Sequence, residues 1–332
     1  MNIERFRQLI PLWLPGLITL VMAQSADPAD PYYGLKTRKI LVFSYVDKSA
    51  DVQQELDHII RIDYNRTGLT TDSTLLDSAG MMLATTAYLF DRKGFLFEVK
   101  QLDSANSVQW RQTFSYDNQG RCINKTWIDT ANNIFRTVDY RLAASGQPVS
   151  ITTFTAADSA TERLVNRFND NGRLLEKRWY DSESRLVRKS EFNTSGNLTG
   201  TLRYFTDGSL QWKYVYSSST KNGLVETQTC RSQDVETRTE YNHNQVEKFT
   251  ELKHFDGQGR LLYRITFNYN DRGDLTAVTE YTDKGRLSTR STYEYDENHR
   301  LLAEQHFAGS YSGDVLTERP LQLILYEYID YY

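Results

Sequence analysis

Proline is scarce, with 6 copies in 332 residues, and Pro11, Pro15 and Pro28 all fall in the first tenth of the chain. Proline lacks the amide donor that a sheet interior needs, so its rarity leaves the rest of the chain free to pair as strands. Cysteine is scarcer still. Cys122 and Cys230 alone cannot make a disulfide framework or a thiolate metal knuckle. They are equally compatible with one disulfide in an exported chain and with two small buried side chains. Charge of one sign is also missing: 39 basic against 43 acidic side chains give a net charge of −4, and no long single-sign run forms a nucleic-acid groove.

The motifs of chemistry are absent as well. His58, His243, His254, His299 and His306 show no metal spacing, and there is no HExxH. There is no GxSxG, phosphate loop, dinucleotide fingerprint or DxDxDG calcium loop, so no cofactor and no metal is expected. Arg272-Gly273-Asp274 matches a cell-adhesion tripeptide in letters but falls on a turn of the repeat described below.

What is present in excess is Tyr, at 22 copies, beside 15 Phe. Aromatic residues favour strands. The N-terminus carries Arg5 and Arg7, then an apolar stretch from Leu9 to Ala23 that ends in small residues. This pattern is that of a signal peptide and is short for a membrane span. Residues 1–23 are therefore set apart, residues 24–38 read as a polar leader, and 39–332 as a single repeat domain. The mature chain is expected to be exported to the periplasm, the cell surface or the medium.

The repeat is a ruler of six residues from an aromatic to an apolar residue across an Asp/Asn/Gly-rich turn. It recurs at Phe168/Leu174, Tyr180/Leu186, Phe192/Leu198, Phe255/Leu261, Tyr269/Leu275, Tyr281/Leu287 and Tyr295/Leu301. Phe90/Leu96 and Tyr116/Cys122 fit it too, and NHNQ puts Gln245 where a glycine is usual. From each Leu to the next aromatic the separation is even, which on an unbroken strand keeps both on one face. In LLYRITFNY, Leu261, Tyr263, Ile265, Phe267 and Tyr269 would share that face. A second turn family, LDSA, IDTA and ADSA around Asp77, Asp103, Asp129 and Asp158, alternates with the first, one family at each end of the sheet. Residues 39–46 read as the first strand and 321–332 as the last. Val52, Leu56 and Ile59 have the spacing of a short helix.

These spacings predict an all-β chain: a long antiparallel meander of β-hairpin repeats forming one twisted, curled sheet, a β-spiral or open shell of some twenty strands. The alternative is an outer-membrane barrel. It is opposed by short strands, by Arg188, Ser190, Thr279 and Ser291 on the expected apolar face, and by tight turns at both ends.

The units FNDNGRLLEKRWYD, FDGQGRLLYRITFNYN and YTDKGRLSTRSTYEYD resemble the tyrosine–aspartate (YD) repeats of rearrangement-hotspot proteins, and YFTDGSLQWKYVY resembles variant MORN repeats. The resemblance covers about residues 60–307. It implies hairpin repeats in a curved sheet, which in longer relatives enclose toxins or display domains, and in some bind carbohydrate. No toxin domain or self-cleaving segment is found here.

Phe97, Trp127 and Trp179 have the parity opposite to Leu96, Cys122 and Leu174, and share it with Lys125 and Lys177. Exposed aromatics there would stack on sugars or anchor a partner, whereas two curled walls meeting would bury them. The function expected is a non-enzymatic scaffold that binds protein or glycan at the cell envelope or outside the cell. The alternatives are the membrane barrel and a hydrolase with paired carboxylates.

Overall fold

The computed structural model describes residues 35–48, 51–155, 160–218, 225–232 and 235–330. The expected signal peptide, the predicted leader up to residue 34 and residues 157–159 of the ADSA turn lie outside the described residues. Everything described is strand or turn: strands β1 to β22 in chain order form one 22-stranded sheet. Each strand pairs antiparallel with its successor. The helix suggested around Val52 is instead part of β2 (Asp51–Tyr64), and β1 (Leu35–Lys48) starts inside the predicted leader.

The expected open sheet is overturned by one seam. β22 (Val315–Asp330) pairs with β1 from Leu35↔Asp330 to Ser44↔Gln322, so the meander closes into a barrel. An open sheet leaves unpaired N–H and C=O groups on two edge strands; closure satisfies both edges. The largest fully buried side chains gather around this seam. Val42 and Ile324, 0% and 1% exposed, pack with Ile40 against Ile60, Ile62 and Tyr326. β1, β2, β21 (Leu301–Ser312) and β22 have 14, 14, 12 and 16 residues. Elsewhere strands have 7 to 9, so these four stand above one rim.

Both turn families have one geometry. In the turn at Asp91, the Asp91 amide donates to the Phe95 carbonyl and the Gly94 amide to the Asp91 carbonyl, at 2.8 and 3.0 Å. The Asp91 Oδ1 accepts the amides of Lys93 and Phe95. Asp77, Asp103, Asp117, Asp129, Asn169, Asp181, Asn193, Asn244, Asp256, Asn270 and Asp296 repeat this double acceptance. The fourth position is left-handed, which suits Gly94 (φ 85°) but is also imposed on Glu247 (φ 65°) and His299 (φ 62°). It is thus Glu247, not Gln245, that replaces glycine. The following Arg explains the Gly-Arg pair of the repeat: Arg185, Arg260 and Arg300 each return Nε to the second oxygen of their turn's Asp.

A bulge after nearly every turn overturns the parity argument. Phe255 pairs with Leu261, but His254 pairs with Tyr263, leaving Leu262 extra. Ladder partners share a face, so Leu261 lies opposite Tyr263 and hence opposite Tyr269. Tyr269 pairs with Leu275 and Arg264 with Tyr281, so Leu275 and Tyr281 are likewise on opposite faces. Leu287 obeys the same rule, its Cδ2 lying 2.9 Å from where a Cβ on Gly309 would project. Aromatic and Leu share a face across the turn, not along the strand. The aromatics therefore alternate: those before turns at the rim of Leu35 and Asp330 lie on one face, and those before turns at the other rim lie on its reverse.

Truncating Ile324 to Ala should cost about 2–4 kcal/mol in chemical denaturation, whereas Leu262→Ala, at an exposed bulge, should stay within about 0.5 kcal/mol. Amide donors of Arg121, Asn133, Arg185 and Arg260 hold the carboxyls of Asp117, Asp129, Asp181 and Asp256 below the ordinary range. A depressed folded-state carboxyl contributes stability above its unfolded value, near pH 4, which is lost as pH falls through the folded one. The unfolding free energy should thus be level above about pH 5 and fall below about pH 4. Asn at these four positions should flatten that fall.

Candidate ligand-binding site

Tracing partners around the closed ring sorts the side chains into two faces. One carries Ile40, Val42, Tyr88, Trp110, Tyr214, Tyr241, Tyr263, Phe267 and Tyr326, with a few cations. The other carries Glu98, Lys100, Arg111, Glu176, Arg178, Lys189, Glu251 and Arg264. Burial raises the phenols of Tyr88, Tyr214, Tyr263 and Tyr293, and pushes Tyr241 up to about 12. It lowers the imidazoles of His254 and His306. All of these lie on the aromatic face. On the charged face, burial pushes Glu176 up, but hydrogen bonds from Arg178 and Lys189 outweigh it and hold this carboxyl low. Ile40, Val42, Leu96, Val99, Val138, Ile265 and Ile324, among the most buried apolar side chains, also lie on the aromatic face; a concave wall crowds side-chain tips and a convex wall spreads them, so this face lines the lumen.

The outward face covers its aromatics with arginine. Guanidiniums of Arg163, Arg238, Arg264 and Arg290 sit 4.9, 5.0, 4.5 and 5.0 Å from the rings of Tyr180, Phe255, Tyr281 and Phe307. The rims are laced between successive turns: Arg173 donates to the Thr194 carbonyl, and Arg272 to those of Asp296 and Glu297. His299 meets Asp274 at 2.7 Å. The Arg272-Gly273-Asp274 tripeptide is therefore occupied in rim architecture.

The lumen face holds the site. Trp110, Trp127, Trp179 and Trp212 all lie on it, each in the first ladder pair beyond a bulge at the rim opposite the chain ends. Their ladder partners are Gln101, Arg136, Arg188 and Arg203. Arg136 lies 4.8 Å from the Trp127 ring and Arg188 3.8 Å from that of Trp179. Phe97, a bulge residue 42% exposed, stands at the other rim and does not join this row. Of the three residues singled out in the sequence, Trp127 and Trp179 come together in one belt. They do share a face with Lys125 and Lys177, but that face is the aromatic one. Trp110 and Trp212 are not found by parity counting, because the bulge moves the alternation by one. Their signal is position: each follows its turn's apolar anchor by two residues.

Cys122 and Cys230 are both free thiols. Among the described residues no group of three or more His, Cys, Asp or Glu could hold a metal ion. A depression of about 400 Å3 lies between Trp127 and Trp179 in strand order, lined by Phe135, Arg136, Thr153, Phe154, Thr155, Thr161 and Glu162. With one carboxylate it lacks the pair that a glycosidase needs.

No known family matches the chain, and no curated protein does. Among solved structures it overlays TcdB2–TccC3–Cdc42 at 11% identity and a TM-score of 0.38, over 85% of this chain and 20% of that one. A porin-like protein from Bacteroides uniformis overlays at 9% identity and 0.32, over 90% of this chain and 98% of that one. One from Bacteroides vulgatus does so at 9% and 0.22, over 77% and 98%. The chain thus spans about a fifth of the first structure's length.

Cations beside the tryptophans should show in solution. Iodide should quench tryptophan fluorescence of the chain lacking residues 1–23 more strongly than caesium does, and Arg188→Gln with Arg203→Gln should narrow the difference.

Proposed function

We propose that the chain is an exported, non-enzymatic β-barrel that binds glycan through the tryptophan belt of its lumen face, with turns of YD-repeat type as its framework. The observation that carries this reading is four indole-bearing residues on one face, each one ladder pair inside the same rim, three of them with guanidinium partners. Flat aromatic rings stack on the apolar faces of sugars, and arginine donors serve their hydroxyl and carboxylate oxygens. The signal-like N-terminus supports a location in the envelope or outside the cell. Folded protein applied to a glycan array should retain a defined set of saccharides, and Trp127→Ala or Trp179→Ala should each weaken the best of them by about 1 kcal/mol. An array with no bound saccharide would sink the reading.

A second reading, an outer-membrane barrel, is favoured by closure of an even number of strands. Against it, neither face offers lipid an unbroken apolar band. Arg136, Lys177, Arg188 and Glu280 interrupt the aromatic face, and Glu98, Arg111, Glu176 and Arg264 the other. Arg188, Ser190 and Ser291 lie on the aromatic face as the sequence suggested, but Thr279 lies on the charged one. The chain lacking residues 1–23 should stay soluble without detergent and sediment apart from liposomes. Flotation with the vesicles would favour the membrane barrel instead.

A further inference from the structure

We infer that the row Trp179–Arg188–Arg203–Trp212 is a subsite for an acidic sugar, binding a uronate carboxylate between its two arginines while the indoles stack on the flanking rings. The inference rests on the glycan-binding reading and names the ligand class of the same belt. The four residues are successive ladder partners across β11 (Leu174–Asp181), β12 (Leu186–Phe192), β13 (Leu198–Tyr204) and β14 (Leu210–Ser218). At about 4.8 Å between strands the row is about 14 Å long, the reach of a short oligosaccharide.

The two guanidiniums are the unusual part. Arg188 and Arg203 pair directly across neighbouring strands, where like charges repel. Lys177, two residues before Trp179, adds a third cation on the same face. Among the described residues no carboxylate forms an ion pair with any of the three. The reverse of the same strands shows the contrast, for Arg178 and Lys189 are held there by Glu176, and Lys189 also by Glu191. Both arginines are exposed, while Ser190 and Thr201, the next rung inward, are buried and spend their hydroxyls on each other at 3.2 Å. The arginines thus keep donors for a ligand on adjacent strands, Arg188 with its guanidinium against the Trp179 ring, where one carboxylate can accept from both. A neutral sugar would leave the repulsion standing; an anion between them removes it.

The test is titration calorimetry on the folded chain lacking residues 1–23 with trigalacturonate and trimannuronate, each beside its methyl ester. At least one acid should bind about tenfold or more tightly than its own ester, with a preference that shrinks at high salt. Arg188→Gln/Arg203→Gln should abolish the preference without lowering the melting temperature, since it also removes the repulsion. The inference is overturned if acid and ester bind alike, if neither acid binds, or if the double variant keeps the preference. It is also overturned if inorganic sulfate alone binds as tightly as the acids, which would make this a site for free oxyanions. In all four cases, saccharides retained on the array would leave the broader glycan reading intact. An empty array would remove both.

Discussion

The fold depends on one repeated hydrogen-bonding arrangement: in most turns the first side chain turns back and accepts two backbone amides. Asp91, Asn169 and Asp256 do so with the same oxygen, and the next bonds close the turn behind it. This matters because so little else is buried. Among described apolar residues only ten are buried, several of them at the seam. A sheet without a packed centre owes its stability to ladders, and a ladder is set by its turns. Arg260 and Arg300 extend the arrangement by tying the second carboxylate oxygen, and Arg173 and Arg272 reach on to the next turn.

From the turn follows the bulge, and from the bulge the distribution of side chains. An extra residue just inside nearly every turn tightens the local twist, which a closing sheet requires. It also hands successive aromatics to opposite faces. Those turned outward lie under arginine, as Tyr281 does under Arg264. Those turned inward share the lumen with the four tryptophans. Because each Trp sits directly beyond a bulge, the belt is a product of the same device that sets the curvature.

Much of this was legible in the sequence. The ruler of six identified the turns, the scarcity of proline allowed a continuous sheet, and the count of strands near twenty came from the repeat length. Three things were not legible, each for a physical reason. The bulge leaves sequence spacing untouched, so Leu261 and Tyr269 read as one face when they occupy two. Closure joins residues as remote as Leu35 and Asp330, and no local pattern records whether the first and last strands meet. The stretch around Val52 has helical spacing, but β1 and β3 (Thr70–Asp77) flank β2 and bind it as a strand. At the site, Trp127 and Trp179 were visible as misplaced aromatics. Trp110 and Trp212 were hidden by the parity rule that exposed the others.

The seam between β1 and β22 has a consequence in time. A ribosome delivers β1 long before β22, so throughout synthesis the growing wall carries an adhesive border that its own final strand must fit. Neighbouring copies present the same border, and any chain cut short keeps it for good. Such a protein needs an escort, or dilution, until its last residues arrive, and the projecting length of β21 and β22 gives the late strand a long overlap with which to outcompete strangers.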